Sequence, residues 1–323
     1  MTLRPVSEAV EGKTTRRHAG TPPFPELFVG KFRQPPMKSS STRETRERTN
    51  SMSGKSSTVS QASERMHVFA PRGVRVVAHP VTNLKPHPSQ TAHFRISVDS
   101  GLGSLGNEVA DALLRTCEQD FATLQGYFGG ITPALMPFEL VITSGTQGAS
   151  HATCAATALS IGARSGPLGF MRSLVIAEED EVFEASFGHG WNCGFSNGEG
   201  LSRVLANDMV PGVEPPGFVS PPVWLDGPSD VSGVRRENWV DKTDRTDTNY
   251  FSIGCSVLFL NWMRFQLNYS WQQIIQAGAP TLGQTYRNLT GRNNGWVNFK
   301  ALIDEKFPVD RPSGVTTDNP FPL

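Results

Sequence analysis

Carboxylates can serve as general bases, hold hard cations or pair with arginines. This chain concentrates them in residues 173–186, SLVIAEEDEVFEAS. At about 100° per residue, a helix would place Leu174, Val175, Glu178, Glu181, Val182 and Ala185 on one face. Glu179, Asp180 and Glu184 would point elsewhere. Two carboxylates inside an apolar stripe are costly unless a partner compensates them. Glu178 can act as a general base or pair with an arginine. Glu181 can hold a cation or be held by Arg203, which lies on the next helix. Glu199 can hold a cation or close a capping box with Ser196, which puts a serine at the N-cap and a glutamate three residues on. From residue 91 onward the histidines are His93, His151 and His189. His189, in the loop between the two helices, is the candidate imidazole ligand. Cys117, Cys154, Cys193 and Cys255 show neither CxxC nor zinc-ribbon spacing. Buried or free thiols are the preferred reading. A Cys154–Cys193 bridge is reasonable only in an oxidising compartment.

The elements that must carry these residues follow from hydrophobic periodicity. Residues 93–98 alternate as a strand, 101–106 form a turn, and 107–128 have helical spacing through Val109, Leu113, Cys117, Phe121, Leu124 and Phe128. Residues 138–143 and 154–161 read as two further strands. The acidic helix follows, then a glycine-rich loop over 188–194 and a helix over 196–206. A Pro/Gly-rich insertion spans 211–236. Beyond it lie an apolar helix at 253–267, another begun by Ser270 as N-cap, and a last one at 297–307. The predicted fold class is α+β, a small mixed sheet followed by a mainly helical C-terminal part.

Residues 1–65 are rich in Ser, Thr, Arg, Pro and Lys and read as a disordered basic tail. They hold 12 Lys/Arg against 6 Asp/Glu, so they carry +6 while the remainder of this neutral chain carries −6. Residues 66–90 read as an extended lead-in, 91–310 as a single domain and 311–323 as a C-terminal tail. The basic excess is too small and too poor in aromatics to indicate nucleic acid. No apolar run reaches the roughly 18 residues of a membrane span, and no signal peptide is visible at the N-terminus. Cytoplasm is the default compartment. Walker, GxGxxG and GxSxG contexts are absent.

The order of these elements, with an acidic helix and then Asn197-Gly198-Glu199-Gly200-Leu201, resembles the gluzincin class of HExxH zinc metallopeptidases. Ala177-Glu178-Glu179-Asp180-Glu181 falls on the HExxH window, and seventeen residues separate Glu181 from Glu199, much as in that family. The resemblance covers about residues 91–307 and implies a metallopeptidase-like fold whose edge strand, here 154–161, binds extended peptide. It implies Glu178 as general base, Tyr250 as a transition-state hydrogen-bonding residue, and Glu181, Glu199 and a substitute His189 as metal ligands. Zinc or another divalent metal is the implied cofactor. The two histidine positions are Ala177 and Glu181; alanine cannot coordinate, and paired carboxylates suit a hard cation better than zinc. Three readings stay open: a pseudopeptidase that binds a peptide or protein segment, an active metal-dependent peptidase, and a purely structural domain.

Overall fold

The computed structural model describes residues 67–69, 83–145 and 148–323. The predicted disordered tail, residues 1–65, lies outside them. A six-stranded mixed sheet runs in the order β1-β5-β6-β4-β3-β2. Its strands are β1 (His67–Phe69), β2 (Leu84–Pro86), β3 (Phe94–Asp99), β4 (Phe138–Thr143), β5 (Ala149–His151) and β6 (Ala158–Gly162). The centre is parallel, with β4 between β3 and β6. The edges are antiparallel: β2 on β3, β5 on β6 and β1 on β5.

Alternation sets the sheet's buried face. In β3, Phe94, Ile96 and Val98 are buried, and in β4 Phe138, Leu140 and Ile142 are. Arg95 and Glu139, one on each strand, point the other way and form an exposed ion pair at 3.3 Å. The covered face packs against α1 (Ser104–Leu114) and α3 (Leu168–Phe187), with α2 (Cys117–Tyr127) beside α3. A second helical layer follows, in which α4 (Ser196–Met209) lies between α3 and α6 (Tyr250–Asn261), and α5 (Pro221–Asp226) packs on α6. The helices α7 (Trp271–Gln276), α8 (Leu282–Thr290) and α9 (Gly295–Lys306) complete the C-terminal part. The chain is thus a mixed α/β fold, as the patterning predicted. No helix is long and apolar enough to cross a membrane among the described residues.

Several boundaries differ from the sequence reading. The helix predicted over 107–128 is two helices, broken at Arg115 and Thr116. The apolar helix predicted over 253–267 begins at Tyr250 and ends in a π-helical turn, Trp262–Gln266. The predicted strand over 154–161 is shorter, Ala158–Gly162, and it lies inside the sheet rather than at an edge. The lead-in contributes two edge strands. The predicted C-terminal tail, 311–323, is tied to the body at two buried residues, Asp318 and Phe321: Asp318 Oδ1 accepts from the Ser220 amide at 2.9 Å, and Asn261 Nδ2 donates to its backbone carbonyl.

Ser270 meets its expectation. Its hydroxyl accepts from the Gln273 amide, and the Gln273 side chain accepts from the Ser270 amide, a reciprocal capping box. Ser270→Ala should lower the unfolding free energy by about 1 kcal/mol, read as a shifted urea midpoint with unchanged slope.

Candidate functional site: a buried acidic cluster around His151

The twenty residues of α3 have no continuous solvent face. The sheet covers one side and α2 and α4 the others, so every residue from Ser173 to Glu184 is buried. The amphipathic stripe read from the sequence is therefore only part of the story. Glu178, Glu179, Asp180, Glu181 and Glu184 are all at most 2% exposed, whichever way they point. Ala185, assigned to the inward stripe, is exposed.

The carboxylates divide by direction. Glu179 faces α2, where Asp120 and Glu118 add repulsion to the burial that already raises its pKa well above the carboxylate range. Arg172 offsets part of this while bonded to Asp120 at 2.6 and 2.9 Å. Asp180 and Glu184, one turn apart, are each raised well above their usual range by burial; the neighbouring Asp180 raises Glu184 further, whereas the hydrogen bond from Glu184 pulls Asp180 back down. A Cβ on Gly198 would lie 2.3 Å from a Glu184 carboxylate oxygen and 2.3 Å from the Asn192 carbonyl. Glycine there is what lets α4 close on α3.

Glu178 and Glu181 face β5. His151 Nε2 lies 3.0 Å from Glu181 Oε2, and its Nδ1 lies 3.9 Å from Glu178 Oε2. All three side chains are 3% exposed or less. Burial lowers the His151 pKa to about 4, against an opposing pull from Asp247. Burial also pushes Glu181 up to about 8, with Asp247 adding to it. Glu181 shares a hydrogen bond with the Glu199 carboxyl, which burial likewise raises. Glu199 Oε1 accepts from Arg203 Nε at 2.8 Å. The guanidinium is thus the positive charge set directly against the Glu181–Glu199 pair.

Arg203 is therefore the buried counter-charge, bonded to Glu199 where the sequence offered it to Glu181. It also donates to the Phe218 carbonyl at 3.0 Å and lies over the Phe218 and Tyr250 rings at 4.3 and 4.9 Å. Its Nη2 donates to the Tyr250 hydroxyl at 3.4 Å. Tyr250 is thus beside the cluster, engaged with the arginine. The N-terminus of α4 is fixed from the loop before α6. Ser196 Oγ accepts from the Asp244 amide, while the Asp244 carboxylate accepts from Asn249 and Ser252.

Three expectations are corrected. His189 is exposed, adopts φ 56°, and stacks on Phe187 at 4.4 Å rather than joining the carboxylates. The predicted Ser196 capping box is not formed: Phe195 is the N-cap, and Glu199 pairs with Arg203 instead. Cys154 and Cys193 form a disulfide, whereas thiols were preferred; Cys117 and Cys255 are the buried free thiols. His151 and Asp247 are the residues that sequence reasoning passed over. Only His151's place in the count of histidines could have flagged it, because Ala149–His151 is too short to show alternation.

The zinc arrangement implied by the metallopeptidase resemblance does not fit these residues. Ala177 has no donor atom, Glu199 is committed to Arg203, and His189 is outside the cluster. No protein-family model, curated protein or solved structure matches this chain.

Proposed function

We propose that this chain is a metallopeptidase-like scaffold that binds an extended peptide or protein segment by strand addition at β5, without the zinc chemistry of that family. The observation that carries the reading is the pairing of His67–Phe69 with β5. Three residues from far upstream lie antiparallel along its outer edge, in the register His67 to His151, Val68 to Ser150 and Phe69 to Ala149. A partner segment would take this place directly beside the acidic cluster by replacing His67–Phe69, with main-chain hydrogen bonds supplying its affinity. The binding edge is thus β5, one strand beyond the 154–161 segment to which the sequence assigned it. Peptide cleavage with Glu178 as base is disfavoured by the sealed cluster and by the Arg203 clamp on Glu199.

Adjacent amides of a strand point to opposite edges, so replacing Val68 and Phe69 together by proline removes whichever donor faces β5. The full-length double variant should lose hydrogen-exchange protection at Ala149–His151. It should regain it on addition of a synthetic peptide of residues 64–70. Unchanged protection in the variant, with no binding of the peptide, would reject strand addition at this edge.

A further inference from the structure

Cys193 Sγ lies 3.6 Å from His151 Nε2, on a buried surface shared with Glu181. The donor atoms of His151, Glu181 and Cys193 all lie within 4.8 Å of one another. We propose that reduction of the Cys154–Cys193 disulfide opens a zinc site formed by His151 Nε2, Glu181 and the Cys193 thiolate.

The geometry lies close to what the ion needs. Tetrahedral zinc with nitrogen and oxygen ligands at about 2.0–2.1 Å and sulfur at about 2.3 Å separates its donors by about 3.3–3.6 Å. The observed separations from Nε2 are 3.6 Å to Sγ and 3.0 Å to Glu181 Oε2. Nε2 and Oε2 already face each other as a buried ion-pair contact, so a cation bound by both needs them to part by only a few tenths of an ångström. A nitrogen, oxygen and sulfur set selects zinc over magnesium or calcium, and it leaves a fourth position for water. Glu178, 3.9 Å from Nδ1, stands on the side where a metal-bound imidazole usually finds a carboxylate for its second N–H. Asp247 adds negative charge beside Glu181, and Arg203, which also acts on Glu181, is ion-paired with Glu199.

The disulfide gates this site, because a thiolate and not a disulfide sulfur is the ligand. Cys154 is half-buried and Cys193 is buried, so an external dithiol meets Cys154 first. Its thiolate attacks Cys154 Sγ, the Sγ–Sγ bond breaks, and the electron pair leaves on Cys193 as a thiolate facing His151. The second thiol of the reductant then releases Cys154 as a thiol and closes the reductant's own disulfide. Two electrons pass from dithiol to protein, and Cys193 binds the ion as the anion it already is. The site is independent of strand addition at β5: either can fail without the other.

The test uses the full-length chain and a single metal as probe. Cobalt(II), a spectroscopic stand-in for zinc, should bind one per chain to the protein reduced with a dithiol and then freed of it without air, and to Cys154→Ser without reductant. Both should show a sulfur-to-cobalt charge-transfer band. The oxidised chain should bind at least about 10–100-fold more weakly, the cost of losing even an outer-shell partner, and so should Cys193→Ser. Zinc should displace the cobalt. Equal binding by oxidised and reduced chain, or a band that survives in Cys193→Ser, would overturn the proposal; so would a folded Cys154→Ser protein that binds no cobalt. Circular dichroism of Cys154→Ser establishes that it is folded.

Discussion

Arg203→Met should destabilise the fold by about 3–5 kcal/mol, the cost of leaving a buried charge without its partner. Arg203 is 1% exposed, ion-paired with Glu199 at 2.8 Å, hydrogen-bonded to the Phe218 carbonyl and stacked between two aromatic rings. Methionine keeps much of the volume but supplies neither the charge nor the donors. The surviving Glu199 carboxylate would then sit beside Glu181 with no compensating cation. The double variant Arg203→Met, Glu199→Gln should recover a large part of the loss, because a buried ion pair costs more when halved than when removed whole. Urea denaturation of the three proteins reads both effects. A cost below about 1 kcal/mol for Arg203→Met would mean that another group balances the cluster.

The second large effect is a stability that falls as pH rises from about 6 to about 9. Burial pushes Glu181 up to about 8 and Glu214 to about 9, the latter with help from Asp318. Glu179, Asp180 and Glu184 are raised well above the carboxylate range, again by burial first. In the unfolded chain such groups ionise near about 4. Above that pH the folded chain holds more protons than the unfolded one. Their contribution to stability is therefore complete below the unfolded values and is lost as pH climbs through the folded ones. Each carboxyl still protonated in the fold adds a slope of about 1.4 kcal/mol per pH unit. His151, lowered to about 4 by burial, works in the opposite sense, but only as pH falls below its unfolded value of about 6.5. From there upward the carboxyls act without it. With a chelator present, the urea midpoint should be lower at about pH 8.5 than at about pH 6, and Glu214→Gln should flatten the profile. A profile that is level or rises over that range would show that these carboxyls are ionised in the folded chain.

Helices carry their own hydrogen bonds and their own period, and for that reason they were legible. The acidic helix, the Ser270 capping box and the last helix lie close to where the residues predicted them. So does β4, whose alternation is long enough to read. The split between α1 and α2 was hidden because neither Arg115 nor Thr116 is a glycine or proline, and spacing alone runs through them. The three-residue strands β1, β2 and β5 were invisible, because their partners lie elsewhere in the chain.

The acidic helix by itself determined that something must compensate buried charge. Glu178, Glu181 and Glu199 follow from it and from the next helix, Tyr250 follows from the metallopeptidase resemblance, and the fold does gather the four. What compensates the charge was decided by packing. Burial on every side of α3 also enclosed Glu179, Asp180 and Glu184, which a helical wheel turned away from the stripe. Tertiary structure brought in His151 from β5 and Cys193 from the loop before α4, and set Arg203 against Glu199 rather than Glu181. Spacing along a chain fixes which residues share a helix face, whereas the groups that meet that face come from segments with no local period linking them to it.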